Sequence, residues 1–230
     1  FTREYADALY EYGSELILES EANPSLEQIQ WQSDAWGQMD RPEPLRPSIQ
    51  TWIEPRTMVR FVDRQSTDRT YLMAKALFYG QGFVVWENVF GWWNPFTPRD
   101  RSMLRRISPL LRDNVDAFVD PDWSPLEYPL EKGVYGNRFR AGNKTVLTLI
   151  NTNERAVTAM ELPVPLASGY GCYDVWNGVR LEPFARDTTQ GTARVALPID
   201  GRSCGCVVIQ PEQDPRPVYA PHVEILEPER

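Results

Sequence analysis

The stretch Gly80-Gln-Gly-Phe-Val-Val-Trp-Glu-Asn-Val-Phe-Gly-Trp-Trp-Asn94 decides how the 230-residue chain is read. Phe83 to Trp86 form a short, continuous apolar run behind Gly80 and Gly82. A run of this kind reads as a strand buried on both faces, the pattern of a parallel sheet. Glu87 and Asn88 follow at once, then Gly91, Trp92 and Trp93. A carboxylate and an amide where such a strand ends, beside amphipathic rings, read as the lip of a binding site.

Working outward toward the N-terminus, residues 68–79 predict a helix. Tyr71, Leu72, Lys75, Ala76 and Tyr79 recur at helical spacing, Asp68 is a suitable cap and Gly80 ends the run. Ser48-Ile-Gln-Thr-Trp-Ile-Glu54 predicts another strand, stopped by Pro55, which cannot continue a central ladder. Residues 23–47, rich in proline and polar residues and holding Trp31 and Trp36, read as a long ordered excursion. Glu15-Leu-Ile-Leu-Glu19 reads as a short buried strand, ending at Glu19, Ser20 and Glu21. Before it, Tyr5, Ala8, Leu9 and Tyr12 give a helix over 2–12 with Gly13 as its stop. After the opening stretch, Thr97-Pro98-Arg-Asp100 starts a further helix with Thr97 as N-cap, Pro98 at the first turn and Pro109 a kink point. The order helix, strand, loop, strand, helix, strand, helix predicts β/α alternation with parallel strands.

Beyond Asp120-Pro-Asp-Trp-Ser-Pro125 the texture changes. Short strands are predicted at 134–139, 146–150, 159–163, 173–176, 193–197 and 206–209. Ala141-Gly-Asn143, Asn177-Gly178 and Asp200-Gly201 mark hairpin turns between them. Such spacing predicts an antiparallel β-sandwich over 126–215. The tail 216–230 reads as an extended wrap or a mobile end.

Composition narrows the function classes. A net charge of −8 without a Lys/Arg run argues against nucleic acid, and no apolar run is long enough for a membrane span. Cys172, Cys204 and Cys206 read as buried free thiols, although either of the last two would pair with Cys172 if their strands were neighbours. The single histidine, His222, lies in the tail, so neither a zinc site nor histidine-based catalysis is expected, and no metal or organic cofactor is implied. Asn143-Lys-Thr145 matches the glycosylation pattern but reads as an ordinary turn.

Trp52-Ile-Glu-Pro-Arg56, Lys75–Gly80, Gly82–Gly91, Arg99–Arg106 and Tyr173-Asp-Val-Trp-Asn-Gly178 together resemble the C-terminal half of a bacterial glycoside-hydrolase-like protein. The resemblance implies α/β plus all-β architecture: the last strands of a (β/α)8 TIM barrel over 1–120, followed by the sandwich. The other barrel strands, about five if eight make a barrel, are expected from a preceding part of a longer polypeptide or from another chain. It also implies that the carboxylates at the strand ends face a carbohydrate substrate, and it puts Glu54, at the end of a seventh strand, in the nucleophile position.

Glycoside cleavage needs two carboxylates, about 5 Å apart for retention and about 6.5–9.5 Å for inversion, one of them held protonated by an apolar setting. Glu54, with Arg56 favouring its charged form, and Glu87, between Trp86 and Asn88, are the candidates for catalysis. Against these stand a structural Glu–Arg pair and a sugar-hydroxyl ligand, respectively. Glu19 and Glu21 are either substrate ligands or solvated loop acids, and Asp34 and Asp63 rank below them. Trp36, Trp86, Trp92 and Trp93 suit stacking on sugar faces, whereas Trp52 and Trp176 suit core packing. Two other readings are a non-catalytic carbohydrate-binding or scaffold protein and a structural subunit completed by another chain.

Overall fold

A computed structural model describes residues 3–13, 18–21, 25–37, 45, 49–85, 94–127 and 130–222. The first half contains α1 (Arg3–Tyr12), β1 (Glu19–Ser20), α2 (Leu26–Ile29), β2 (Asp34–Gly37), α3 (Ile49–Ile53), β3 (Met58–Phe61), α4 (Thr70–Phe78), α5 (Pro98–Asp113) and α6 (Val115–Phe118). β1, β2 and β3 form a parallel sheet in that order, and a parallel bridge from Phe61 to Phe83 adds a fourth extended segment beside β3. Helices α2, α3 and α4 lie between successive segments, so sequence neighbours are sheet neighbours throughout.

Two parts of this sheet differ from the sequence expectation. Residues 49–53 are helical, and the strand is instead Met58–Phe61. A run this short cannot be assigned by period alone, because Ile49, Thr51 and Ile53 fit a strand as well as Ile49, Trp52 and Ile53 fit a helix. The burial decides it: Trp52 and Ile53 are 58% and 53% exposed, which a doubly buried strand would not allow, and Trp52 is a surface ring rather than core. The excursion before α3 contains β2, a strand the proline-rich flanks obscured.

Helix α4 is buried around almost its whole circumference, from Met73 to Phe78, because it lies between two sheets. Ala76, Phe78 and Tyr79 pack on Phe61 of the parallel sheet, whereas Met73, Ala74 and Leu77 join the core beneath the second half. Helix α5 opens with Thr97 at the predicted N-cap, where Asp100 completes a capping box, and runs through Pro109 to Asp113.

The second half contains β4 (Trp123–Ser124), β5 (Val134–Ala141), β6 (Lys144–Asn151), β7 (Val157–Pro165), β8 (Tyr170–Asp174), β9 (Val179–Arg180), β10 (Ala185–Asp187), β11 (Thr192–Ile199) and β12 (Cys204–Pro211). They make two antiparallel sheets, ordered β4-β5-β6-β12-β8-β9 and β10-β11-β7. Leu147, Leu149, Val207 and Ile209 of the larger sheet share one core with Met160, Leu162, Val195 and Leu197 of the smaller. The opposite face of the larger sheet, carrying Val146, Cys204, Cys206 and Val208, packs on α4 and α5. Every residue of β12 is buried, which explains its unbroken apolar run in an antiparallel sheet: both faces are covered.

Cys172 belongs to the inner core and Cys204 and Cys206 to the helix-facing one, so no pair can form across β8 and β12, and all three are free thiols. The tail returns across the surface as far as residue 222: Val218 N–H donates to Asp113 Oδ2 (3.1 Å) and Ala220 N–H to the Val175 carbonyl (2.7 Å). Among the described residues, no helix is long and apolar enough to cross a membrane.

Candidate functional site

The register of the parallel sheet sorts its side chains onto two faces. Glu19 stands beside Asp34 and Met58, and one layer further along Trp36 stands beside Arg60. Since side chains alternate along a strand, these share one face, and Ala35, Val59 and Phe61 share the other. The second set is buried, with Phe61 against α4. The first set carries the charge. Arg60 Nη2 contacts Glu19 Oε1 at 2.5 Å and Asp34 Oδ2 at 2.9 Å, and Arg60 Nε donates to Asp34 Oδ1 at 2.9 Å. Partial burial pushes the Asp34 carboxyl above its ordinary value, and the Arg60 guanidinium only partly offsets this.

In a parallel sheet the carboxyl ends of the strands carry the functional loops. Here that end holds Glu21 after β1 and Asp63 and Arg64 after β3, with Arg64 Nη2 at 4.0 Å from Glu21 Oε1. Burial would raise the Asp63 carboxyl, but the Ser66 hydroxyl and the backbone N–H groups of Ser66 and Gln65 donate to it and hold it below the usual range.

The rigid part of this end is Arg69. It is 1% exposed, and its guanidinium reaches both flanking loops. Nε donates to the Asp63 carbonyl (2.9 Å), Nη2 to those of Arg64 (3.3 Å) and Asn94 (2.8 Å), and Nη1 to that of Pro95 (3.3 Å). Asp100, wholly buried, sits 3.3 Å from Nη1 and also accepts from the Arg69 and Thr97 N–H groups. One buried pair therefore fixes the loop after β3 to the residues that lead into α5. The sequence reading passed over Arg69 because an arginine next to a helix cap carries no local sign of burial.

The opposite end of the sheet is closed by polar side chains. Thr57 Oγ1 donates to the Gln32 carbonyl (3.2 Å), Val59 N–H to Gln81 Oε1 (2.6 Å) and Gln81 Nε2 to Thr51 Oγ1 (3.0 Å). Glu54 belongs here. Its carbonyl accepts from Thr57 N–H (3.0 Å), just before β3 begins, and its Oε1 accepts from Arg56 N–H (3.2 Å). The expectation that Glu54 ends a strand at the catalytic face is thus corrected: it follows a helix and stands at the amino ends of the strands. Arg56 stands with it, exposed, and bonds Glu54 through its backbone rather than its guanidinium.

Of the other expected site residues, Glu19 and Trp36 are on the charged face and Glu21 is at the carboxyl end. Trp86, Glu87, Asn88, Trp92 and Trp93 lie outside the described residues. Arg60 was missed, although the apolar alternation Val59/Phe61 in Met58-Val-Arg-Phe61 marks it as the residue on the other face. Among the described residues, no three His, Cys, Asp or Glu side chains converge as metal ligands.

No protein-family model matches the sequence, and a search of the curated proteins finds no match. Solved structures resemble it in fold. An Anoxybacillus α-amylase superposes with a TM-score of 0.60 at 10% identity, covering 92% of this chain and 56% of its own. An α-amylase from Geobacillus thermoleovorans, solved with acarbose, gives 0.61 at 12% identity, covering 91% and 57%. A family 27 β-L-arabinopyranosidase from Geobacillus stearothermophilus gives 0.54 at 10%, covering 92% and 53%. The chain therefore has a glycoside-hydrolase-like fold and spans a little over half the length of these enzymes.

Proposed function

We propose that this chain is the C-terminal portion of a barrel glycosidase, with the last β/α units over 1–120, an antiparallel sandwich over 126–215 and an extended tail over 216–230. The observation that carries this reading is the arrangement of the parallel segments. Four of them follow one another in chain order, their apolar face is covered by helix and their other face is charged. A doubly wound sheet would reverse its strand order, and a free-standing parallel sheet would have both faces apolar and covered. A barrel needs consecutive order with one face turned inward.

Carbohydrate is the proposed substrate, cleaved by carboxylates at the carboxyl ends of the strands. Glu87 is the proposed catalytic carboxylate in this chain. Glu21, Trp36, Trp86, Asn88, Trp92 and Trp93 are proposed to line the substrate, with Glu19 beneath them. The partner carboxylate is proposed to come from the remaining barrel strands, whether encoded ahead of this segment or on another chain. Glu54 and Arg56 have no place in this site, since they lie at its far end.

The test is Glu87→Gln in the complete protein, assayed on aryl glycosides and neutral oligosaccharides. We expect turnover to fall by about a hundredfold or more, as loss of a positioned acid, base or nucleophile does. Turnover close to wild type would overturn the role of Glu87. One observation favours a second reading, a carbohydrate-binding protein without catalysis: Arg60 holds both Glu19 and Asp34 in ion pairs. That reading expects tryptophan quenching by oligosaccharides with no turnover by the wild-type protein.

A further inference from the structure

At one end of the two antiparallel sheets the apolar layer between them stops and a cleft of about 280 Å³ opens. Its floor is a single row across the larger sheet: Arg140 pairs with Thr145, and Thr145 with Ile209. Paired residues point to the same face, and Ile209 belongs to the core between the sheets, so Arg140 and Thr145 also point between them. One row further in, Leu147 and Val207 are fully buried. Arg140 and Thr145 therefore put polar side chains on the β5–β6 side of this row, while Ile209 keeps its β12 side apolar and buried. Pro165, of the smaller sheet, forms the opposing side, Tyr170 of β8 extends the larger sheet's side beside Pro211, and Gly142 and Gly191 sit at the rim with open space where a side chain would project.

We infer that this cleft is a binding site for a neutral oligosaccharide, separate from the parallel sheet. Its chemistry selects that class. Arg140 Nη1 lies 3.8 Å from Asp122 Oδ2, with the two side chains 40% and 56% exposed, so a donor fork and an acceptor stand together and neither charge is left over for an ionic ligand. Vicinal hydroxyls, each both donor and acceptor, match such a pair. The half-buried Tyr170 ring supplies an amphipathic surface for a sugar face, and Asn143 adds an exposed amide at the rim. The volume lies near the lower end of small-molecule sites, about 300 Å³, which suits one or two sugar units of a longer chain.

The test is backbone-amide NMR of the full chain titrated with maltohexaose, cellohexaose and xylohexaose. We expect shifts at Gly142, Asn143 and Gly191 with at least one of them, and affinity about tenfold weaker or worse in Arg140→Ala and Asn143→Ala, the cost of one polar contact. If Arg140→Ala unfolds, Asn143→Ala, an exposed turn residue, carries the same comparison. No shift at these amides at millimolar sugar, or shifts that persist unchanged in the variants, would overturn the inference. Shifts confined to the parallel sheet would overturn it too, while supporting the barrel reading.

Discussion

Removing both donors to the Phe78 carbonyl should cost more than the two single losses together. Phe78 is the last residue of α4, and no intrahelical N–H reaches its carbonyl. The larger sheet satisfies it twice: Asn137 Nδ2 donates at 2.8 Å and Thr148 Oγ1 at 2.6 Å. Asn137 and Thr148 are cross-strand partners in β5 and β6, and all three residues are fully buried. Thr148→Val keeps the shape and leaves the carbonyl one donor, so we expect a loss of about 1 kcal/mol. Asn137→Ala also strands Leu126 N–H, which donates to Asn137 Oδ1 at 2.9 Å, and opens a small void. We expect about 2–4 kcal/mol for it. The double variant leaves a buried carbonyl with no donor and should lose about 1–3 kcal/mol beyond the sum. Urea unfolding of all four proteins measures the cycle, and thermal unfolding should follow at about 2–4 °C per kcal/mol for a chain of this size. Additivity within about 0.5 kcal/mol would refute the reasoning, because it would mean that water reaches the carbonyl once the side chains go.

Arg69→Met should be among the most destabilising single changes, at about 3–5 kcal/mol by urea unfolding, since it leaves Asp100 buried without its cation. Asp174, largely buried, has its carboxyl raised above the ordinary 3.8 by burial, against donors from Asn177 and Trp176 and the charge of Arg106. The folded state then holds this proton to higher pH than the unfolded chain, so stability from this group falls as pH rises from about 3.8 through the raised value. Asp174→Asn should flatten that part of the stability–pH curve, measured by urea unfolding at intervals between pH 3.5 and 6, while an unchanged slope would exclude Asp174 as its source. Burial pushes the Cys172 and Cys204 thiols up to about 12, and Cys206 further, so at pH 8 none should react with an aromatic disulfide reagent until denaturant is added. Gly201→Ala should destabilise the β11–β12 turn by about 1–3 kcal/mol, because its Cβ would meet the Glu154 carbonyl oxygen, a backbone atom that cannot step aside.

The antiparallel half was legible because its signals are local. Gly142, Asn177-Gly178 and Asp200-Gly201 mark turns, and Gly142 and Gly178 have the positive φ that favours glycine. The strands between them alternate or run apolar according to how many faces are covered. The parallel half was read less well. Its strands are only two to four residues long, so β2 and β3 offered too few residues to show a period, and a five-residue helix passed for a strand. Glu54 was misplaced as a consequence. With residues 49–53 taken as the strand, its last residue fell at the carboxyl end of the sheet, whereas the true strand begins later and leaves Glu54 at the amino end. Arg69 was invisible for a different reason: its partners are four backbone carbonyls and an aspartate some thirty residues away, none of which a sequence displays.

The Arg60 cluster bears on how the proposed barrel would be completed. Arg60 already pairs with both Glu19 and Asp34 on the face that would turn inward, and all three side chains keep partial exposure. Closing the barrel would remove that remaining water. Desolvation penalises a carboxylate unless its pairing is kept, so burial of this cluster is tolerable only because the guanidinium reaches both acids at once. In the proposed site a carboxylate acting on substrate would then stand elsewhere, at the rim where the strands end, where Arg69 and Asp100 fix the flanking loops. In the proposed barrel this charged face would set the pairing of the strands, and the chemistry would be left to the carboxylates proposed at the strand ends. Replacing Arg60 by Met should for this reason lower stability more in the completed protein than in the 230-residue chain, where the two acids can still turn to water.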